Sequence, residues 1–368
     1  MKSLAYYITA HGYGHGVRSC DILAALVRQQ PDLTVHVVSD LPWPFLASRL
    51  PAGDFRPRPG SFDVGMVQLD SVRVDVPATL CAARDLLAGW PEQLAREKAF
   101  LDQAGVGAVV ADIPGLPLQA ARALGLPALA VGNFAWDWIY EPFAEENRGW
   151  QAVIDAYRGA YAECDLLLRL PFHEPMQAFP RRLDMPLLAR PGCARRAAIA
   201  RRTGADPDTT WVLLSFTSLE WKPEALARVA GLAGYTFFTV QPLAWDRSGM
   251  VALDRREFPF ADALASCDVV VTKPGYGVMS ECAVNAKPMV YVEREDFREY
   301  PVLASALQRH FTSVHLPARK LYLGDLGDAL AAIRTAPAPT EPLPAGGDTL
   351  AAREILSATL GSDPKIAK

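Results

Sequence analysis

The stretch Val269-Val270-Val271-Thr272-Lys273-Pro274-Gly275-Tyr276-Gly277-Val278-Met279-Ser280-Glu281 decides the fold. Its first part reads as a buried strand, Asp268–Thr272, of the kind a parallel sheet covers on both faces. A glycine turn follows, and then a helix over Gly277–Asn285. The backbone N–H groups of Gly275–Val278 would face a diphosphate, because a helix start has unpaired N–H groups and a partial positive charge. Glu281 lies one turn into the helix, where a carboxylate can accept bonds from both hydroxyls of a ribose. The plainer alternative is that Glu281 only complements the helix N-terminus electrostatically.

The N-terminus repeats the pattern. Ser3–Thr9 reads as a short apolar strand, His11-Gly12-Tyr13-Gly14-His15-Gly16-Val17-Arg18 as a glycine-rich turn, and Val17–Gln29 as a helix with Val17, Ile22, Leu23 and Leu26 at helical spacing. The glycine spacing is not that of the GxGxxG dinucleotide fingerprint. The histidines are more informative, since a strand-end loop of a doubly wound sheet faces the ligand crevice and an imidazole accepts protons near neutral pH. Asp112 closes the strand Ala108–Ala111 on the same sheet edge, where it could orient His15 as the third group of a triad does. Against these readings stand a helix-capping role for His11 or His15, and a turn or N-cap role for Asp112 before Pro114.

Working outward, strands and helices alternate in both halves of the 368 residues, a length that already predicts two domains. The first half adds strands at Leu33–Ser39 and Ala128–Gly132, and helices at Leu86–Gln103 and Leu118–Leu124. The second adds strands at Trp211–Phe216, Tyr235–Gln241 and Met289–Glu293, and helices at Pro223–Gly231, Asp262–Ser266 and Tyr300–His310. The Pro- and Arg-rich segment from Pro171 to Asp208, with Arg181, Arg182, Arg190, Arg195, Arg196, Arg201 and Arg202, reads as the interdomain crossing. The expected plan is an N-terminal acceptor-side domain (1–188), a linker (189–208), a nucleotide-sugar domain (209–345) and a C-terminal helix and tail (346–368). The last helix, near Thr349–Leu360, is expected to pack back across the domains. Two Rossmann-like α/β domains whose parallel sheets face a central cleft are the GT-B plan.

Composition narrows the function. Half the residues are hydrophobic and 21% are charged, a globular balance. The net charge of −4 argues against a general nucleic-acid binder. No run is apolar for long enough to span a bilayer, and the N-terminus lacks signal-peptide features, so a cytoplasmic location is expected. The basic run leaves room for peripheral contact with an anionic acceptor or membrane. Six scattered cysteines, with no CxxC pair, read as mostly buried thiols, and no Cys/His cluster has zinc spacing. Asp206-Pro207-Asp208 looks like a DxD metal motif but falls in the proposed linker, where a turn is the better reading. Ser215-Phe216-Thr217-Ser218 offers hydroxyl and N–H donors for a diphosphate, or an N-cap. Arg294-Glu295-Asp296-Phe297-Arg298-Glu299 suits sugar hydroxyls, or an ordinary solvated loop. Trp136, Trp138 and Tyr140 read as an acceptor platform or as core.

Together, the HGYGH loop, Gly132-Asn133-Phe134-Ala135-Trp136-Asp137-Trp138-Ile139-Tyr140, Leu168-Arg169-Leu170-Pro171 and Lys273-Pro274-Gly275-Tyr276-Gly277 with Ser280-Glu281 carry a resemblance. The chain resembles the glycosyltransferase-like N-terminal half of plant L-arabinokinase and its bacterial stand-alone relatives. More distantly it is similar to the lipid II-forming N-acetylglucosaminyltransferase and to natural-product glycosyltransferases. This resemblance implies a metal-independent, inverting sugar transfer from a nucleotide sugar, UDP-linked, to an unidentified small-molecule, lipid or protein acceptor, with no cofactor. It implies His15 as base with Asp112 as partner. The donor would be held by Gly14, Ser215, Thr217, Lys273, Gly275, Tyr276, Gly277, Ser280 and Glu281, its sugar by Arg298 and Glu299, and its base by backbone near Phe258 and Phe260. His11, Tyr13, Asn133, Trp136 and Asp137 fall on the acceptor side. Related families often have Gln where this chain has Arg298-Glu299, and Lys273-Pro274 replaces a Ser-Gly entry to the phosphate turn. No kinase phosphate loop follows residue 340, so arabinose kinase activity is not expected. A nucleotide-sugar epimerase and a non-catalytic nucleotide-sugar sensor are the rival readings.

Overall fold

The computed structural model describes residues 3–67, 74–294 and 297–360. Glu295 and Asp296 of the proposed sugar-contact loop, and the tail 361–368, lie outside these. The chain divides into two compact units, residues 1–189 with 344–368, and residues 190–343.

Unit 1 is built on seven strands: β1 (Ser3–Ile8), β2 (Thr34–Val38), β3 (Asp54–Arg58), β4 (Ala108–Asp112), β5 (Ala128–Gly132), β6 (Leu166–Arg169) and β7 (Arg182–Asp184). All pair in parallel, in the order β3-β2-β1-β4-β5-β6-β7. Parallel neighbours need crossovers, and the intervening helices cover both faces, so β1, β4 and β5 are buried at every residue. One core packs Leu4, Tyr6 and Val110 against Ile22, Leu23 and Leu26. The C-terminal helix Gly347–Leu360 belongs to this unit and adds Ala351, Ala352 and Ile355 to the same core. The last helix thus returns from the end of unit 2 in sequence to the core of unit 1.

Unit 2 has six strands: β8 (Thr210–Ser215), β9 (Tyr235–Val240), β10 (Met250–Leu253), β11 (Val269–Thr272), β12 (Met289–Val292) and β13 (Ser313–Leu316). They too are all parallel, in the order β10-β9-β8-β11-β12-β13. In both units the strand order reverses beside the first strand, between β1 and β4 and between β8 and β11. Outside the carboxyl ends of the strands at such a reversal is where open α/β sheets bind ligands.

Three expectations change. The stretch expected as a linker folds into unit 2, with a helix over Arg196–Thr203. Two of its arginines are tied into this unit: Arg196 bonds Asp268 at 2.9 Å and lies over the Trp211 ring, and Arg202 bonds Glu257 at 3.0 Å. The single helix Leu86–Gln103 is two helices, Val76–Ala88 and Trp90–Gln103, broken at Gly89. The first helix starts at Tyr13, not Val17, which changes the geometry of the histidine loop.

Candidate active site

Because the helix Tyr13–Gln29 includes His15, the residues His15, Arg18 and Ser19 stand at i, i+3 and i+4 and share one face. That face meets Asp112, the last residue of β4, whose side chain is fully buried. The register places Ile8 of β1 beside Asp112, so the loop carrying the histidines leaves the sheet next to this carboxylate. The carboxylate Oδ1 lies 2.9 Å from His15 Nδ1, and Oδ2 accepts from Arg18 Nε at 2.7 Å and from Ser19 Oγ at 2.9 Å. Arg18 Nη2 also donates to Oδ1, and Arg18 Nη1 to the Asn133 side chain. Burial alone would raise the Asp112 pKa. The Arg18 and His15 charges and their hydrogen bonds outweigh it and hold the carboxyl well below the usual range.

Arg18 was not foreseen as a site residue, and it governs His15. His15 Nδ1 is 2.9 Å from Arg18 Nη2 as well as from Asp112. One ring nitrogen cannot donate to the carboxylate and accept from the guanidinium in the same state. With the proton on Nδ1, directed at Asp112, Nε2 carries the lone pair and His15 is a base. Burial first, and then the Arg18 charge, lower the His15 pKa, with Asp112 opposing. That shift favours the neutral imidazole, the form a general base needs.

The glycines of the loop divide by role. A Cβ on Gly16 would come within 2.8 Å of Leu41 and Phe45, so that glycine is required by packing. Nothing lies within 4 Å of a Cβ on Gly12 or Gly14, which leaves open space above the helix start. Gly12 caps this helix without any side-chain hydrogen bond, and its first turn has no acidic residue. Tyr13, at the first helical position, is 57% exposed and meets Phe45 edge-on at 4.7 Å.

The acceptor-side expectations are sorted by burial. Both ends of the Asn133 side chain are used internally, one by Arg18 and the other on the Pro171 carbonyl, so it braces the site and does not face an acceptor. Trp136 and Tyr140 are buried and stack on each other at 5.7 Å, so they are core and not an open platform. Asp137 is buried, with Oδ2 3.4 Å from Arg158 Nε, and burial raises its pKa against the Arg158 charge. His11 pairs with Asp63, Nε2 to Oδ1 at 3.2 Å, and Asp63 also accepts from Trp136 Nε1 at 2.9 Å. Asp63 lies on a connection without helix or strand, and no sequence pattern marks it.

In unit 2, Ser215 ends β8 directly beside Thr272 of β11, and Thr272 Oγ1 lies 3.0 Å from the Ser215 carbonyl. Thr217 follows on an exposed turn. Past Thr272, Gly275 caps the helix Tyr276–Val284 with no side-chain hydrogen bond. Ser280 and Glu281 lie on this helix, and Gly277 is exposed in its first turn. The Lys273 pKa is pushed down to about 8 by burial and by the Arg294 charge. Arg294 lies over the Phe297 ring, just before Arg298 and Glu299. Burial lifts the Glu299 carboxyl to about 7, although Arg294 opposes it. The Phe258 N–H is already spent on the Asp254 carbonyl at 2.8 Å, and its ring is core. Of the two positions expected to read a base, only Phe260, which opens a helix, retains an N–H without a helical partner.

Among the described residues, no group of three or more His, Cys, Asp or Glu side chains could hold a metal ion. Asp206 and Asp208 form a turn, with the Asp208 N–H donating to Asp206 Oδ1 at 2.9 Å. No helix of the described residues is long and apolar enough to cross a membrane. Cys20, Cys164, Cys267 and Cys282 are buried free thiols, and Cys81 and Cys193 are exposed.

No family model matches the chain. L-arabinokinase of Arabidopsis thaliana is 28% identical over 329 residues, 87% of this chain and 31% of that protein, so the chain spans about a third of the relative's length. Among solved structures, the glycotransferase of kitacinnamycin aligns with a TM-score of 0.65 at 16% identity, covering 97% of this chain and 96% of that one. The calicheamicin glycosyltransferase CalG4 aligns at 0.62 and 15%, covering 98% and 96%. A UGT transferase from Siraitia grosvenorii in complex with UDP aligns at 0.60 and 13%, covering 97% and 99%. With two Rossmann-like units of parallel strands and this likeness over nearly its whole length, the chain has the GT-B glycosyltransferase fold.

Proposed function

We propose that the protein is a glycosyltransferase that moves a sugar from a UDP-linked donor to an acceptor hydroxyl. The observation that carries the reading is the His15 imidazole held 2.9 Å from the buried Asp112 carboxylate at the strand-order reversal of unit 1. Its counterpart at the reversal of unit 2, the uncapped helix start at Gly275 with Lys273 beside it, supplies donor-binding chemistry. The solved structure bound to UDP supports a UDP-linked donor.

In the proposed reaction the acceptor oxygen forms a bond to the anomeric carbon as the bond from that carbon to the diphosphate oxygen breaks. The acceptor proton passes to His15 Nε2. The new imidazolium is stabilised by Asp112, and Arg18 keeps that carboxylate ionised. Charge on the leaving diphosphate is carried by the N–H groups of Gly275–Val278 and by Lys273, as preorganised donors carry it elsewhere. Glu281 binds the ribose, and Arg298 and Glu299 the donor sugar. One displacement at the anomeric carbon inverts its configuration.

Incubation of the purified protein with a panel of nucleotide sugars tests this. Slow release of UDP, lost in His15→Gln, is the expected result. A changed sugar still attached to UDP would mean epimerisation, and binding without change would mean a sensor. Either would overturn the transferase reading.

A further inference from the structure

His15 is not the only imidazole mounted on a buried carboxylate. We propose that His11, locked by Asp63, is a hydroxyl-binding group beside His15, and that the acceptor is a carbohydrate or polyol presenting two hydroxyls on one ring. This rests on the transferase reading and specifies its acceptor.

The seat of His11 is built from three directions. Asp63 is buried and accepts from Thr9 Oγ1 at 2.8 Å and from Trp136 Nε1 at 2.9 Å, so its position is fixed by neutral donors. Among the described residues its ion-pair partner is His11, with Nε2 3.2 Å away. The Trp136 ring meets the imidazole edge-on at 5.3 Å. Gly65 closes the remaining side. Its φ is +66°, and a Cβ there would lie 2.3 Å from His11 Nδ1 and 2.4 Å from Cγ, so the ring occupies the space a side chain would need. The buried carboxylate, the indole ring and the left-handed glycine thus bear on the imidazole from three sides.

The chemistry follows from that seat. His11 Nε2 lies 3.2 Å from Asp63 Oδ1 as an ion pair, and Nδ1 has no hydrogen bond to a described residue. The His11 side chain is 26% exposed. In the proposal, Nδ1 is the ring atom that meets an acceptor hydroxyl. The two imidazoles share a neighbourhood: Trp136, against His11, meets Phe134 at 5.0 Å, Phe134 meets His15 at 5.9 Å, and the Asp63 charge acts on His15. Between them in sequence, the exposed Tyr13 ring provides a face on which the C–H face of a sugar can stack.

The test uses the UDP-sugar from which the protein releases UDP, with myo-inositol and methyl β-glucopyranoside as polyol probes and cyclohexanol and 4-nitrophenol as single-hydroxyl probes. The polyols should accelerate UDP release at least tenfold over water, and the single-hydroxyl probes should not. His11→Gln should raise the polyol KM about tenfold or more with little change in kcat, whereas His15→Gln should lower kcat. Gly65→Ala, which displaces the ring while retaining both members of the pair, should act on KM like His11→Gln. Equal acceleration by cyclohexanol or 4-nitrophenol, or an unchanged polyol KM in His11→Gln, would overturn the proposal. Should those variants not fold, 15N NMR of the wild-type imidazoles decides it: myo-inositol should shift His11 Nδ1, and no shift overturns the proposal. Failure to release UDP from any donor would instead count against the transferase reading itself.

Discussion

Asp112→Asn is the sharpest perturbation of the unit 1 site, because the carboxylate serves three side chains at once. In the native site it accepts from Arg18 Nε, Arg18 Nη2 and Ser19 Oγ, and contacts His15 Nδ1. An amide of the same shape has one acceptor oxygen, and its NH2 group would confront two of these donors. The Arg18 side chain is 11% exposed and would remain buried without a countercharge. Breaking a buried pair in this way costs about 3–5 kcal/mol, against a total stability of about 5–15 kcal/mol. At roughly 2–4 °C per kcal/mol for a unit of this size, unit 1 should melt roughly 6–20 °C lower. Turnover should fall about 10³–10⁴-fold, since the amide no longer selects the base tautomer of His15. The pH dependence has a defined sign. The Asp112 carboxyl has a depressed pKa in the folded protein, so its stabilisation is complete above the unfolded value of about 3.9 and is lost as pH falls through the folded value. The stability gap between wild type and variant should be constant above about pH 5 and close in strong acid. Thermal unfolding by circular dichroism across pH, with UDP release in parallel, measures all three effects. A variant melting within about 2 °C of wild type and retaining a tenth of the activity would refute the central role of Asp112.

Further expectations concern single groups. The acid limb of the kcat/KM profile should lie below the ordinary imidazole value of about 6.5, because burial and Arg18 hold His15 neutral; Arg18→Met should move that limb to higher pH. UDP affinity should weaken as pH rises through about 8, where the Lys273 amine loses its proton, and Lys273→Met, followed by calorimetry, should abolish that dependence. Gly16→Ala should destabilise by about 1–3 kcal/mol through its clash with Leu41 and Phe45. Gly14→Ala, in a helix with open space above it, should stabilise by up to about 1 kcal/mol yet reduce turnover, which unfolding and UDP-release assays separate.

The strands that position the site were legible because they are buried on both faces. β4, β5 and β11 are short runs of Val, Ala and Leu with no competing helical period. β3 was not legible: Asp54–Arg58 is a charged, Pro-containing edge strand, which apolar pattern cannot reveal. The break at Gly89 did carry a signal, Pro91 in the first turn of the next helix, a common opening for a helix. The role of Arg18 was hidden by the helix boundary. Starting the helix at Val17 leaves His15 outside it, and only a start at Tyr13 puts His15, Arg18 and Ser19 on one face. Asp63, Asp268 and Glu257 are ordinary acids in the sequence; their partners are far away along the chain, and tertiary structure alone connects them.

The central claim is that a sugar leaves a diphosphate for an acceptor hydroxyl with His15 taking the proton. The most direct measurement is 13C NMR of a donor labelled at the anomeric carbon, using the UDP-sugar from which release is observed, with and without EDTA. The account predicts that the label leaves UDP, appears on the acceptor with inverted configuration, does so equally in EDTA, and remains on UDP in His15→Gln. A label that stays on UDP in the wild-type protein, or a transfer that proceeds undiminished in His15→Gln, would contradict it.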